Sequence, residues 1–332
     1  MVTMKDIAQK CGVSVSTVSR VLSGNELISP ETSRLVTKTA EEMGYMPDMT
    51  ARTLKTNRSD MIGILYDMKL THPFFSGVID AIRTRAEEAG FDVLLLSRVK
   101  HGGRMGYTEM ALSRRMDGII VVYARVENEN VRKLMNGSIP VVSIDVYDGK
   151  TSVVFSDYRE GTRQLTEYAI SMGHKRIALI HGEMGYATKE RLVGYREVMA
   201  VHGLEVPPEM IRAGVFNHPE ECAAETEKLL ALPEAPTCIL MPDDYSAINA
   251  LRILRERGIS APGDFSCAGY SGILPSLTFG PQLTTFRQDT KAIGRAAVDL
   301  LLDTIREGPG KLREMTIRGQ LIPGETMADL RT

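Results

Sequence analysis

Residues 4–22, MKDIAQKCGVSVSTVSRVL, constrain the fold of this chain more than any other segment. Two short stretches in it repeat apolar residues at helical spacing, and Gly12 between them is typical of a tight turn. The apolar positions are Ile7, Ala8 and Cys11 in the first stretch and Val18, Val21 and Leu22 in the second. Ser14 can cap the second helix, because its hydroxyl can accept an otherwise unpaired backbone N–H. The segment predicts a helix-turn-helix and DNA binding, although the first hairpin of an ordinary helical domain has the same periodicity.

The second stretch leaves short side chains and one guanidinium outside its apolar stripe. These positions are Val15, Ser16, Thr17, Ser19 and Arg20. A helix in the major groove needs small residues where it approaches the bases, and a forked donor where guanine presents two acceptors. Ser16 and Arg20 match these two needs. We expect this set, with Ser14 before it and Asn25 after it, to contact DNA.

A third helix is predicted from its start and stop signals. Ser29 and Pro30 supply a cap and a first helical residue, and Glu31 adds an acid to the first turn. The helix should run to about Met43 before Gly44 ends it. Residues 1–46 are therefore predicted to form a small all-α head.

Three stretches of this region resemble the lac repressor (LacI/GalR-type) family of bacterial transcription regulators. They are GVSVSTVSRVLSG, SPETSRLV and EMGYMPDMTARTLKTNRSDMIGIL, and the resemblance extends over nearly the whole chain. It implies that residues 47–59 are a hinge helix and linker. In the family this helix orders on operator DNA, pairs with its dimer mate in the minor groove and inserts a leucine between base steps.

By position the inserted leucine is Leu54, with Arg52 and Lys55 as further DNA contacts beside it. An apolar wedge unstacks a base step at a cost of a few kcal/mol and bends the duplex. The alternative for Leu54 is a plain packing role between domains.

From Asp60 onward, buried strand patterns alternate with amphipathic helix patterns, which predicts an α/β body with parallel sheets over residues 60–332. The resemblance implies two lobes of the periplasmic-binding-protein-like type. The N-lobe is expected at about 60–157 and 288–317, and the C-lobe at about 158–287 and 318–332.

A small-molecule effector is expected between the lobes, because ligands of open parallel sheets gather at the carboxyl ends of strands. The candidates that follow strands are Phe74, Phe75, Asp145, Asp243, Asp244, Ser271 and Gln288. Phe216 is a second aromatic candidate, and Arg191 matches the arginine by which relatives hold their effector. A sugar needs an aromatic face, donors and carboxylates, so the set favours a sugar or a sugar derivative.

Each candidate except Arg191 has an ordinary alternative. Phe74 or Phe75 can belong to the lobe core, Asp145 and Asp244 can cap helices, and Gln288 can connect the crossover strands. The chain also departs from sugar-binding relatives, because Ser271 replaces an aspartate and Asp243 replaces an asparagine. Tyr158, which follows Asp157, stands where an asparagine is usual. A purine-like, nucleoside or phosphorylated ligand therefore stays an alternative.

Composition is that of an ordinary globular protein, with 332 residues, 43% hydrophobic and 25% charged. No apolar run of membrane-spanning length and no signal-peptide pattern is present, so a cytoplasmic protein is expected. The four cysteines are scattered singly, which favours neither disulfides nor a zinc site. No cofactor or metal is expected.

The net charge of −2 conceals a difference between the two parts of the chain. Residues 1–58 hold 8 Lys and Arg against 6 Asp and Glu, a balance of +2, which leaves −4 for the remainder. The mildly basic head is expected to bind phosphates, and binding should weaken as salt rises.

An enzyme is the main competing class, since parallel sheets also carry nucleotide chemistry. The chain contains no GxGxxG, no GxxxxGK[ST], no GxSxG and no HExxH, so a binding protein is expected. A transport-type binding protein would lack the helix-turn-helix. The prediction is a homodimeric repressor on palindromic operator DNA, and without a leucine heptad after Gln320 no tail-mediated tetramer is expected.

Overall fold

The structure is a computed structural model that describes residues 2–22, 27–46, 58–66, 72–96, 105–273, 275, 280–308 and 312–331. The chain divides into two compact units, Met1–Ser59 and Asp60–Thr332. The predicted hinge helix and four predicted DNA contacts lie outside the described residues. Those contacts are Asn25, Arg52, Leu54 and Lys55.

The first unit contains three helices, α1 (Met4–Cys11), α2 (Val15–Leu22) and α3 (Pro30–Glu42). Local capping sets their bounds. The Oγ1 of Thr3 accepts from the backbone N–H of Asp6 to begin α1, and Gly12 ends it at φ +67°. Ser29 caps α3 by accepting from the N–H of Thr32. The predicted helix-turn-helix is confirmed.

A small apolar core holds these helices together. Its buried members are Ile7, Ala8, Val18, Val36 and Ala40. All three helices contribute, so α3 covers the apolar faces of α1 and α2 as their periodicity predicts.

In the second unit, the N-lobe is built on a six-stranded sheet of order β11-β5-β4-β3-β1-β2, in which every neighbouring pair is parallel. The strands are β1 (Met61–Tyr66), β2 (Asp92–Leu96), β3 (Gly118–Val122), β4 (Val141–Ile144), β5 (Ser152–Ser156) and β11 (Glu314–Ile317). The helices are α4 (Pro73–Glu88), α5 (Tyr107–Ser113), α6 (Glu129–Met135) and α11 (Thr290–Glu307). Separate apolar clusters fill the two faces of this sheet.

The C-lobe repeats this plan with a sheet of order β12-β10-β9-β8-β6-β7, parallel except for the antiparallel edge strand β12. The strands are β6 (Ile177–His181), β7 (Ile211–Ala213), β8 (Cys238–Leu240), β9 (Ser266–Ser271), β10 (Thr284–Arg287) and β12 (Gln320–Ile322). The helices are α7 (Tyr158–Ser171), α8 (Tyr186–Val201), α9 (Pro219–Leu230) and α10 (Asp244–Glu256), with a 3₁₀ turn at Pro208–Met210.

The chain passes between the two sheets after β5, after β10 and between β11 and β12. These crossovers place the carboxyl ends of β5 and β10 at the junction of the lobes. The α/β prediction is confirmed, while the numerical bounds of the lobes stay a prediction. Among the described helices, none is long and apolar enough to cross a membrane.

Two details of the predicted pattern were wrong. Strands β5 and β7 were not predicted, and α4, α8 and α10 begin three to five residues before Gly77, Arg191 and Ala247, where the sequence pattern predicts their starts. In α4 and α10 the first turn follows a polar cap and resembles a loop in sequence, whereas α8 begins after Gly185 without a side-chain cap.

Candidate functional site

The exposed face of α2 carries the residues that were predicted to contact DNA. Val15 is 45% exposed despite its apolar side chain, and Ser16 and Arg20 are exposed beside it. Thr17 and Ser19 are partly exposed, whereas the intervening Val18 is fully buried. This arrangement separates an outward face from a core-facing stripe. Contact of the outward face with DNA stays a prediction.

Ser14 organises the start of this helix. Its Oγ accepts from the backbone N–H of Thr17 at 3.0 Å, as a helix cap does. The same oxygen lies 2.7 Å from Oγ of Ser16 and 2.8 Å from Oγ1 of Thr17. The three hydroxyls therefore form a compact polar cluster at the end of the helix.

Between the lobes, residues that follow strands adopt an uncommon backbone conformation. Tyr123 and Asp145 follow β3 and β4 at φ +47° and +57°, and Ser271 ends β9 at φ +117°. Asn217, in the loop after β7, has φ +57°. A positive φ costs free energy in a non-glycine residue, and residues with this conformation concentrate at ligand sites. The cleft between the carboxyl ends of the two sheets is the candidate effector site.

Arg191 lies in α8 at this cleft and is only 4% exposed. Its Nη1 and Nη2 donate to the carbonyl oxygens of Pro242 at 2.7 Å and Met241 at 3.2 Å, and its Cζ lies 4.1 Å from the centroid of the Tyr270 ring. Nε has no hydrogen-bond partner. Burial lowers the pKa of this guanidinium. Asp243 and Asp244 interact with this cation electrostatically, although among the described residues no carboxylate lies within 4.0 Å of it to form an ion pair.

Gln288 supplies a second buried donor at the crossover after β10. It is 5% exposed, and its backbone N–H donates to the carbonyl oxygen of Ser271 at 3.2 Å. Its Nε2 makes no hydrogen bond within the described residues, although the side chain lies close enough to the Tyr158 hydroxyl to lower the pKa of that phenol. The amide hydrogens of Gln288 therefore interact at most weakly with the Tyr158 hydroxyl and can be donated to a stronger acceptor.

Asp145 is the acidic group of the N-lobe side. Its Oδ2 accepts from the hydroxyl of Tyr158 at 2.6 Å, and its Oδ1 accepts a long 3.4 Å bond from the N–H of Ser156. Burial raises the pKa of Asp145 to about 6, against the lowering effect of these bonds. The carboxylate therefore titrates close to neutral pH.

The two aspartates after β8 have structural partners. Asp243 caps α10, because its carboxylate accepts from the N–H and Oγ of Ser246 and from the N–H of Asn217. Asp244 is fully buried and accepts from Oγ1 of Thr285 at 2.6 Å and from the N–H of Ile273. Both carboxylates therefore serve the C-lobe framework. The helix cap is Asp243, and Asp244, for which a cap was the alternative, is the first residue of α10.

The aromatic candidates divide in the same way. Phe74 and Phe75 are 5% and 7% exposed and pack edge to face within the N-lobe core. Phe216 is partly exposed in the loop after β7, with its ring so close to Gly182 that a Cβ there would lie 2.3 Å from it. The structure shows a packing role for the first two, and Phe216 retains an accessible face. Effector contact by any of them stays a prediction.

The structure also brings to the cleft residues that the sequence prediction missed. Tyr158 and Tyr270 stack with a 6.1 Å centroid separation, and Phe155 of the N-lobe stacks on Tyr186 of the C-lobe at 4.1 Å. Phe155 is the fourth residue of β5, so a search restricted to residues that follow strands would not have found it. Tyr158 carried a signal in the sequence, since an asparagine is usual there.

Comparison with known proteins agrees with both units. Residues 3–48 match the description "Bacterial regulatory proteins, lacI family", and residues 166–327 match a periplasmic binding protein-like domain. An HTH-type transcriptional repressor PurR of Pasteurella multocida is 33% identical over 312 residues, which are 92% of this chain and 93% of the relative. A PurR of Vibrio campbellii is 30% identical over 338 residues, 99% of this chain and all of the relative.

Solved structures give the same result for the whole chain. A lac repressor dimer bound to operator and the anti-inducer ONPF superposes with a TM-score of 0.83 at 26% identity, covering 98% of this chain and 99% of that one. A complex of the transcriptional regulator CelR with cellobiose gives a TM-score of 0.73 at 26% identity, covering 98% and 100%.

A helix-turn-helix unit joined to a two-lobed body with a cleft defines a DNA-binding repressor with an effector-binding domain. The relatives in the comparison are transcriptional repressors. The chain belongs to the lacI family of bacterial regulatory proteins.

Proposed function

We propose that the effector binds in the cleft between the carboxyl ends of the two sheets, with Arg191 as its principal donor. The observation that supports this is the buried guanidinium, whose Nε is unpaired and which forms no ion pair within 4.0 Å among the described residues. Burial of an unpaired donor is costly and the carboxylates of Asp243 and Asp244 act on the cation only at longer range, so an acceptor in the cleft would stabilise the protein that holds it. Gln288 would donate beside it, and Phe216 would offer its accessible face to a ring.

The balance of donors and acceptors narrows the ligand chemistry. The unpaired buried groups of Arg191 and Gln288 are both donors, whereas Asp243 and Asp244 have structural partners and Ser271 carries no carboxylate. A neutral polyol, which needs acceptors for its hydroxyl hydrogens, fits this balance poorly. We therefore propose a sugar derivative that carries a phosphate or carboxylate group.

A purine-like ligand is the second candidate. A purine base combines a flat face with several ring acceptors and few donors, which suits the same unpaired groups. The similarity to repressors named PurR is a reason to include this class in the first screen.

Ligand-induced stabilisation tests the proposal. Thermal unfolding of the full chain would be followed with neutral sugars, sugar phosphates, purine bases and nucleosides, because a ligand that binds only the folded state raises the midpoint. A sugar phosphate or purine should raise the midpoint, and Arg191→Ala should abolish the rise. Arg196→Ala is the matched control, since Arg196 lies exposed in the same helix. Full stabilisation of Arg191→Ala would contradict the proposed site.

On the DNA side we propose a homodimer on a palindromic operator. Two heads would read half-sites about 34 Å apart, with Ser16, Arg20 and Val15 at the bases and Leu54 at the centre of the site. The repressor would act by binding alone, in the cytoplasm, without catalysis. Sedimentation of the free chain and of its complex with a selected operator tests the stoichiometry, and one chain per palindrome would contradict it.

A further inference from the structure

Tyr158 joins groups that belong to different lobes. It is the first residue of α7 in the C-lobe, it is 9% exposed, and its hydroxyl donates to Oδ2 of Asp145 in the N-lobe at 2.6 Å. Its ring stacks on Tyr270 with planes 21° apart. The contact therefore spans the junction at the crossover that follows β5.

The second ring of this stack carries the buried cation. The Cζ of Arg191 lies 4.1 Å from the centroid of the Tyr270 ring, close enough for a cation–π interaction. Gly161, one turn into α7, lets the rings approach, because a Cβ there would lie 2.4 Å from the Tyr270 hydroxyl oxygen. Arg191, Tyr270, Tyr158 and Asp145 thus form a continuous column from the basic to the acidic group of the cleft.

We propose that Tyr158 is a positioning residue of the effector site, which holds the Asp145 carboxylate by one oxygen and supports the Tyr270 ring under Arg191. The inference rests on the proposed effector site and deepens it. Oδ2 of Asp145 accepts a short bond from Tyr158, and Oδ1 accepts only the long 3.4 Å bond from Ser156. Oδ1 is therefore the carboxylate oxygen that a donor of the ligand would reach. This single acceptor further favours a ligand with many acceptors and few donors.

The strength of the Tyr158 bond depends on the ionisation of Asp145. Burial raises the pKa of the Tyr158 phenol well above its usual value, so the hydroxyl keeps its proton and donates. The other ionisable groups that interact with Asp145 are Tyr186 of α8 and Tyr270 of β9, both phenols with raised pKa values. Among the described residues, no cation lies within 4.0 Å of Asp145.

The direction of the pH effect follows from these contacts. A phenol bonded to an ionised carboxylate makes a charge-assisted hydrogen bond, which is stronger than a bond to the protonated acid. With a folded-state pKa of about 6, Asp145 is ionised at pH 8 and largely protonated at pH 5. Removal of the Tyr158 hydroxyl should therefore destabilise the protein more at pH 8 than at pH 5.

The experiment compares Tyr158→Phe with the unchanged protein by thermal unfolding at pH 5 and pH 8. The midpoint should fall by about 2–4 °C more at pH 8 than at pH 5. Tyr195→Phe is the matched control, because the buried Tyr195 hydroxyl donates at 2.6 Å to the carbonyl oxygen of Ile177, which does not titrate. In an Asp145→Asn background, the loss caused by Tyr158→Phe should no longer depend on pH.

If Tyr158→Phe lowers the unfolding midpoint equally at both pH values, as expected for Tyr195→Phe, the proposed role of Tyr158 is wrong. The ligand screen decides the proposed function separately. If the fall in midpoint of Tyr158→Phe depends on pH but no sugar phosphate or purine stabilises the protein, the Tyr158–Asp145 bond is supported and the effector site is contradicted. If such a ligand stabilises the protein but the fall in midpoint of Tyr158→Phe does not depend on pH, the effector site is supported and the positioning role of Tyr158 is contradicted.

Discussion

At the scale of single residues, the same residue type serves different purposes according to its neighbours. Asp145 and Asp243 both follow strands at the cleft. Burial raises the pKa of Asp145 to about 6, and its Oδ1 accepts only a long 3.4 Å bond, while Asp243 caps a helix and accepts short bonds at both oxygens. Arg191 differs from the ion-paired arginines of the surface because, within the described part of the chain, no carboxylate lies within 4.0 Å of it, and Asp243 and Asp244 act on it only at longer range. These differences decide which side chains can meet a ligand.

Arg20 provides a residue-scale prediction for the DNA side. If its guanidinium binds guanine through two hydrogen bonds, Arg20→Ala should cost about 1–3 kcal/mol and relax the preference at one base pair in each half-site. Selection of binding sites from random duplexes, followed by titration, measures both effects. A uniform loss on all sequences would identify a phosphate contact instead.

His174 provides a prediction about pH. It is 1% exposed, its Nδ1 lies 2.9 Å from Oγ1 of Thr237, and burial lowers its pKa in the folded protein. The unfolded chain therefore binds a proton more readily as pH falls below about 6.5, and the folded state loses stability. Urea unfolding between pH 7 and pH 5 should show a smaller loss for His174→Gln than for the unchanged protein. An identical loss would show that His174 does not cause the acid sensitivity.

At the scale of secondary structure, close packing of α7 on α8 sets the geometry around Arg191. The two helices meet at Gly194, where a Cβ would lie 2.3 Å from the carbonyl oxygen of Arg159. Ion pairs from Arg159 and Arg163 to Glu197 join the same helices at the surface. Because α7 carries Tyr158 and α8 carries Arg191, this contact fixes the positions of these two residues relative to each other.

Gly194→Ala should destabilise the protein by about 1–3 kcal/mol, since the backbone of α7 must move to admit a methyl group. Gly185→Ala is the control, because no atom lies within 4 Å of the Cβ position at Gly185 and its φ of −162° suits any residue. Urea unfolding measures both. Equal stability of the two variants would mean that the helices separate without cost.

At the scale of the whole molecule, control of repression by an effector requires that the cleft and the DNA-binding unit influence each other. If effector and operator favour different states of the dimer, linkage requires each to change the affinity of the other by the same factor. A coupling of about 10-fold to 100-fold, roughly 1.4–3 kcal/mol, would suffice for regulation. Since Arg191 belongs to the second unit, operator binding without effector should not depend on it.

The corresponding prediction concerns Arg191→Ala. The variant should bind the selected operator with nearly unchanged affinity and lose the response to the stabilising ligand found in the screen. Titrations of operator with and without that ligand measure the coupling, and Arg196→Ala should keep it. A response that survives in Arg191→Ala would place the coupling elsewhere.

The sequence alone determined those features that depend on neighbours along the chain. The helix-turn-helix followed from the spacing of Ile7 and Val18 and from the caps at Ser14 and Ser29, and the α/β body followed from strands and helices that alternate. Caps, glycine turns and apolar periodicity act between residues that are close in sequence, so they can be recognised from the sequence alone.

Only the tertiary structure decided which candidates are available to a ligand. Whether a carboxylate oxygen is available depends on hydrogen bonds from residues distant in sequence. Thr285 donates to Asp244, and Tyr158 donates to Asp145. A sequence pattern does not show which oxygen already accepts such a bond. The phenylalanines after β1 were assigned to the cleft by their position, yet helix α4 begins at Pro73 and turns both rings into the core. Burial and hydrogen bonding depend on three-dimensional packing, because a side chain's environment is set by every element that folds against it.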